Sequence, residues 1–367
     1  MPMPCQHIKF GDPRTVIVKE GGEELLVTDS SLFVVPETIL AESKRVPPSH
    51  VQSRPPNFDH QGLLVDVLSV GSRTRPEYMT AQINTWASHP HVRNFWGIDE
   101  EQDYDPHCDQ MDNDAFQSYV QSCRGDMGWK STRIENFRKK YFGLASGIEI
   151  EARNAGWFCA QRRPGHGLGW LMEMYRDSAN IPDVLMIVDD DTAVDVEMMN
   201  RSMQQHSQFV DGLPFVGSSC VFSWRPDFTF GFGGFGTFFN RAAIQRLIQP
   251  LYCNDNASQH IEDPSYNELT CAKLQQNTIG ELDVFRDGDS VFDIFYKYSA
   301  LRTFCLHSDW VVGYMLTHYL HELLQQLQPM RCKSEICDSE SISCHNQGPE
   351  EMDKFVQDRF YSSASSA

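Results

Sequence analysis

No run in this chain approaches the ~18 apolar residues that a membrane span needs, so its 367 residues predict no spanning helix. Positive charge is also scarce. Lys and Arg number 31 against 50 Asp and Glu, a formal net charge of −19. That balance argues against a nucleic-acid partner, because phosphate backbones are bound by a basic face. Among the eleven cysteines no pair forms a CxxC, and no Cys/His cluster has zinc spacing, which argues against a structural zinc site. The acidic stretches Glu100–Asp105 and Asp109–Asp114 lack the spacing, glycine and terminal glutamate of an EF-hand, so a calcium-binding or interaction protein ranks low. Internal repeats are missing. The opening Met1–His7 has no apolar segment of a secretory signal, which leaves either a cytosolic protein or a chain without its natural N-terminus.

What is present is ordinary globular composition, 41% hydrophobic and 22% charged, enough for one large domain or two small ones. Cys108 and Cys123 flank an acidic segment, and Cys332, Cys337 and Cys344 crowd a polar tail. Cysteines in polar loops point to disulfides and an oxidising compartment, whereas Cys159 and Cys220 read as buried core thiols. Asn200–Ser202 and Asn256–Ser258 are formal glycosylation acceptors.

Residues 1–60 read as an N-terminal extension ending in a linker, with alternating stretches at Thr15–Val18 and Leu25–Val27 before the Pro-rich Arg45–Pro56. The main domain spans 61–360, and 361–367 is a disordered tail. Within the domain, Leu63–Val70, Val92–Ile98, Gly156–Gln161 and Pro182–Val188 read as strands. Glu77–Ser88 reads as a helix with Met79, Ile83 and Trp86 on one face; Ser131–Asn154, His166–Ser178, a stretch from Arg241 and Glu350–Phe360 are also helical by pattern. Strands alternating with helices predict an α/β layered domain with a mixed, mostly parallel sheet flanked by helices.

The run Pro182–Val188 is the most apolar short stretch, and Asp189, Asp190 and Asp191 follow it directly. Carboxylates at the C-terminal end of a buried strand stand at the sheet rim where open α/β sheets bind ligands. Three adjacent like charges are tolerated best around a cation, and hard oxygen ligands favour Mg, Mn or Ca. The plainer reading is an acidic turn or a helix cap, a role open also to Thr192 and Asp195.

Three further segments stand out. Gly231–Gly236 has the spacing G-x-G-x-x-G, but it lies past the middle of the chain and follows no clean strand, so it is not a dinucleotide fingerprint. It is either a Gly-rich bend between strands or a place where Gly233, Gly234 and Gly236 let backbone approach a ligand. Asp309 follows a short apolar run, as a helix cap or as a general base. His345 sits alone in a polar, Cys-rich region, where a surface residue is the simpler reading.

Taken in order, Leu63–Val70 with Arg75 and Thr85–Trp86, then Val188–Thr192, Gly233–Gly236, Ser308–Tyr314, and Ser343–His345 before Pro349–Met352 resemble the fringe-like β1,3-glycosyltransferases, which include fringe and the core 1 β1,3-galactosyltransferases. The resemblance spans about residues 62–355 and rests on the order and spacing of the motifs. It implies a GT-A type nucleotide-sugar-binding fold and Mn²⁺-dependent, inverting transfer of a hexose or N-acetylhexosamine from a UDP-sugar to a glycan or glycoprotein. It implies Asp189, Asp191 and His345 as metal ligands and Asp309 as the catalytic base. Donor contacts are implied for Val67, Ser69, Arg75, Asp189, Asp190, Gly233, Gly234 and Gly236. It also implies a Golgi or secretory-pathway lumen; a homodimer is one open option for assembly. Two departures stand out: Ser308 replaces an acid, and Phe235 replaces an alanine, which narrows the pocket. The N-terminal anchor typical of these enzymes is not seen in this sequence. The alternative is a catalytically inactive fringe-like chaperone or a sugar-binding protein; some relatives are non-catalytic chaperones that lack the acidic triplet, and the presence of Asp189–Asp191 and Asp309 argues against the chaperone.

Overall fold

Strand-forming residues come in short blocks, several of which pair with neighbours far away in sequence. The structure is a computed structural model describing residues 16–20, 23–27, 50–53, 62–71, 75–98, 163–225, 228–231, 233–253, 263–276, 286–295, 312–313, 316, 320, 324–327 and 337–361. In chain order the strands are β1 (Val16–Glu20), β2 (Glu23–Val27), β3 (His50–Ser53), β4 (Val65–Val70), β5 (Val92–Ile98), β6 (Val184–Asp189), β7 (Ala193–Val194), β8 (Val216–Ser218), β9 (Val221–Arg225), β10 (Phe228–Gly231), β11 (Thr237–Asn240), β12 (Gln325–Gln326) and β13 (Ser343–Cys344). The helices are α1 (Pro76–Asn84), α2 (Arg163–Tyr175), α3 (Val196–Gln204), α4 (Ser207–Val210), α5 (Arg241–Ile248), α6 (Pro264–Gln276), α7 (Val291–Phe295) and α8 (Pro349–Val356). None of the described helices is long and apolar enough to cross a membrane.

The chain divides into two compact units. One contains Met1–Arg45, Glu101–His166 and Pro250–His307. In it β1 and β2 pair antiparallel from Val16↔Val27 to Glu20↔Glu23. Cys253 is disulfide-bonded to Cys271 on α6, and Asn267 holds the same junction by accepting from Tyr252 N (2.9 Å) and donating to Tyr252 O (2.8 Å). Ser290 and Asp293 cap α7 reciprocally, Ser290 N donating to Asp293 Oδ2 (2.9 Å) and Asp293 N to Ser290 Oγ (3.1 Å).

The other unit contains Val46–Glu100, Gly167–Gln249 and Ser308–Ala367. Its centre is a seven-stranded sheet in the order β12-β8-β11-β6-β4-β5-β3. Pairings are parallel for β12/β8, β6/β4 and β4/β5, and antiparallel for β8/β11, β11/β6 and β5/β3. Five of the seven strands therefore run one way, with β11 and β3 opposed, and this mixed, mostly parallel sheet agrees with the α/β expectation. Alternation sorts the side chains. Val65 and Val67 of β4 join Val184, Met186 and Val188 of β6 in a cluster with Trp86, Met199 and Met203 of α3, and Met352 and Phe355 of α8. The opposite face carries Leu68 and Ile98, and a Cβ at Gly167 of α2 would meet both, at 2.8 Å and 2.7 Å.

Asp66 points to that second face and is fully buried. It accepts from Arg93 Nε (2.8 Å) and Nη2 (2.6 Å), Asn94 Nδ2 (3.0 Å) and the Tyr175 hydroxyl (2.8 Å). Burial holds the Asp66 carboxyl above the ordinary carboxylate range, against the pull of Arg93, Tyr175 and Asn94 in the other direction.

Three sequence expectations change. The Pro-rich segment taken as a linker contains β3, whose Val51↔Trp96 and Gln52↔Phe95 pairs make it an edge strand. Pro47, Pro48, Pro55 and Pro56 lie outside its four residues, and an edge strand tolerates such neighbours. Cys220 is disulfide-bonded and is not a simple core thiol. Asn200 is buried within α3 at 6% exposure, so the folded chain cannot offer it for glycosylation. Asn256, Cys159, Asp99–Asp105, Ser131–Asn154 and Gly156–Gln161 lie outside the described residues.

Candidate metal and donor site

The parallel pairing of β4 and β6 ends on Val70↔Asp189, so the acidic triplet leaves the sheet at the C-terminal edge of two adjacent strands. Asp190 N donates to Val70 O (2.9 Å) and Thr192 N to Asp189 O (3.2 Å), turning the chain sharply into β7. Asp195 then caps α3, its carboxylate accepting from Met198 N at 2.8 Å. The capping role is therefore filled by Asp195, and the triplet before it is left for other work.

The three acids face different partners. Asp190 is buried and accepts from Arg75 Nη2 at 2.8 Å. Arg75 is itself 42% exposed along its side chain, and its guanidinium lies 4.7 Å from the centre of the Tyr78 ring. Asp191 has Arg75 Nη1 3.6 Å from Oδ2 and His345 Nε2 3.3 Å from Oδ1. The His345 contact has the length of an ion pair without the angles of a hydrogen bond, so the buried Oδ1 has no hydrogen-bond donor. Burial pushes the Asp191 carboxyl up, but His345 and then Arg75 outweigh it and hold the group below the ordinary carboxylate range.

His345 reaches this place through a two-residue ladder. Ser343 pairs with Val194 and Cys344 with Ala193, so the next residue stands beside the acidic turn. Cys344 is disulfide-bonded to Cys337. Asn346 takes φ 57°, a left-handed conformation that asparagine adopts more readily than most residues, and Gln347 N then donates to Asp191 O at 2.8 Å. One ligand atom each from Asp189, Asp191 and His345 can lie within 4.8 Å of the others. Two carboxylates and an imidazole suit a borderline-hard divalent ion, and the donorless Asp191 Oδ1 is the atom such an ion would satisfy.

The Gly-rich segment walls one side. Gly234 lies against His345: a Cβ there would come 2.1 Å from Cδ2 and 2.3 Å from Nε2 of the imidazole. Gly236 has φ +80°, a turn conformation that favours glycine. Thr192 Oγ1 donates to Gly234 O (3.0 Å), Ser343 Oγ to Phe235 O (2.7 Å) and Ser218 Oγ to Gly236 O (2.7 Å), so the turn is tied to three strands or turns. The Phe235 ring is buried and its centroid is 5.7 Å from that of His345. The segment is a bend between β10 and β11, as the first reading has it, and it brings backbone close to His345.

The structure thus brings together Arg75, Asp189, Asp190, Asp191, Gly234 and His345, with Gly233 and Gly236 in the same turn. Val67 and Ser69, expected at the donor, are fully buried. Val67 belongs to the apolar core, and the Ser69 hydroxyl donates to Gln82 Oε1 at 2.6 Å, because both point inward under α1. Asp309 and Ser308 lie outside the described residues. Sequence reasoning missed Gln82, whose Nε2 donates to Asp189 O (2.9 Å) and Thr192 O (3.0 Å), and the indole of Trp86, which donates to Thr192 O (3.0 Å). The signal was available: Gln82 is a polar residue on the apolar stripe of Met79, Ile83 and Trp86, and a buried amide requires partners. The chain matches no protein-family model and no curated protein.

Proposed function

We propose that this chain is a metal-dependent inverting glycosyltransferase of GT-A type that transfers a hexose or N-acetylhexosamine from a UDP-sugar to a glycan or glycoprotein. The observation that carries the reading is the convergence of Asp189, Asp191 and His345 at a parallel-sheet edge, with ligand atoms within 4.8 Å of one another. The order of motifs shared with the fringe-like family supports it and is the ground for a β1,3 linkage and for Mn²⁺. The disulfides fit an oxidising compartment, and a Golgi or secretory-pathway lumen is the proposed setting.

Asp189, Asp191 and His345 would hold the cation. Bound there, it supplies positive charge for the diphosphate that leaves with UDP. Arg75, fixed by Asp190 yet partly exposed, adds a second cation at the same edge for an anionic donor. Asp190 accepts from the guanidinium at 2.8 Å, and Asp191 Oδ2 lies farther from it, at 3.6 Å. Gly233, Gly234 and Gly236 let the donor approach backbone, and Phe235 narrows the space beside them. Asp309 is the proposed base: it takes the proton from the acceptor hydroxyl as that oxygen attacks the anomeric carbon opposite UDP. A single displacement inverts the centre, as in inverting glycosidases.

The test is UDP release across a panel of UDP-sugars, with Mn²⁺ and with EDTA. Release with one donor in Mn²⁺, abolished by EDTA, is the expected result. Absence of both release and donor binding under every condition would overturn the reading.

A further inference from the structure

Resting on that reading of the metal site, we infer that Gln82 is a positioning residue that sets the geometry of the acidic turn. Its carboxamide is fully buried and uses every group it has. Nε2 donates to Asp189 O at 2.9 Å and to Thr192 O at 3.0 Å, and Oε1 accepts from Ser69 Oγ at 2.6 Å. Both backbone partners can only accept, so chemistry alone dictates which end of the amide faces the turn. The two carbonyls bracket Asp190 and Asp191, and one rigid NH₂ group therefore fixes the distance between the ends of the segment that carries the ligands.

Neither carbonyl depends on Gln82 for a partner. Asp189 O also accepts from Thr192 N at 3.2 Å, and Thr192 O from the Trp86 indole at 3.0 Å. The amide thus adds a second donor to groups already satisfied, at the desolvation cost of a polar side chain on an apolar helix face. What it contributes is direction. Ser69 anchors it on β4, next to the Val70↔Asp189 pair from which the turn departs. Gln82 touches no candidate ligand atom. It acts through the backbone of residues 189 and 192, and so on where the Asp189 and Asp191 carboxylates point.

The test titrates the full chain with Mn²⁺ alone and follows it by electron paramagnetic resonance, for wild type, Gln82→Met and the pair Ser69→Ala/Gln82→Met. Methionine keeps the length and flexibility of glutamine without its donors. The double variant also removes the hydroxyl that would otherwise be orphaned, so the substitution leaves no new buried group without a partner, and it is expected to fold even where the single variant fails. Expected in the double variant is a Mn²⁺ Kd about 10–100-fold weaker than wild type, with a broadened spectrum for the bound ion and unchanged far-ultraviolet circular dichroism. A merely structural role would move stability and leave the spectrum of the bound ion alone. Wild-type affinity and line shape in the double variant would overturn the role of Gln82 while leaving the glycosyltransferase reading intact. Absence of Mn²⁺ binding by the wild-type chain would overturn both.

Discussion

Gly234 shows how little room the site leaves at the scale of single residues. A methyl group there would sit 2.1 Å from His345 Cδ2, and the turn cannot retreat because its carbonyls are held by Thr192 and Ser343. Gly234→Ala is expected to displace the imidazole and weaken Mn²⁺ binding at least about tenfold, read by calorimetric titration; unchanged affinity would show that His345 is not held by this contact. The same crowding explains Phe235. Where an alanine was expected from the resemblance, the larger ring fills the flank of His345 and limits the directions the imidazole can take.

Elements turn such residues into a site only where their ends are well anchored. Asp195 both caps α3 and lies 3.2 Å from Arg359 Nη1, so one carboxylate joins the helix start to the segment after α8. Asp195→Asn keeps a capping oxygen and loses the charge, whereas Asp195→Ala loses both. In urea denaturation the alanine variant is expected to be less stable than the asparagine variant by about 1 kcal/mol, the worth of an N-cap. Equal midpoints would assign the whole effect to Arg359. Legibility in the sequence follows the same division. β4, β5, β6 and α1 were readable because each is long enough to show a period or an apolar run. β7 and β13 have two residues each, too few for any pattern, yet their pairing is what carries His345 to Asp191. β3 was hidden by its flanking prolines, and Val67 and Ser69 went astray because a motif gives the position of a residue and not the face it points to. The bond between Cys253 and Cys271 joins positions that no spacing rule connects.

For the molecule as a whole, an ion at the proposed site would link binding to folding. Asp189 and Asp191 lie in one turn, but His345 comes from a distant part of the sequence and joins them only in the native chain, so an ion bound to all three would stabilise the native state. Free Mn²⁺ at a hundred times its Kd is expected to add about 2.7 kcal/mol to stability, seen as a rise in Tm that EDTA reverses. Asp191→Ala should show no rise, and a rise that survived that substitution would place the bound ion elsewhere. The β7/β13 ladder gives this coupling a direction in time. Residues 189–191 leave the ribosome well before Ser343, Cys344 and His345 do. The strands β4 and β6, the acidic turn and Arg75 beside it are therefore synthesised before His345, the third proposed ligand. A chain truncated before Ser343 thus carries every strand of the seven-stranded sheet but lacks His345, the third ligand of the proposed ion site.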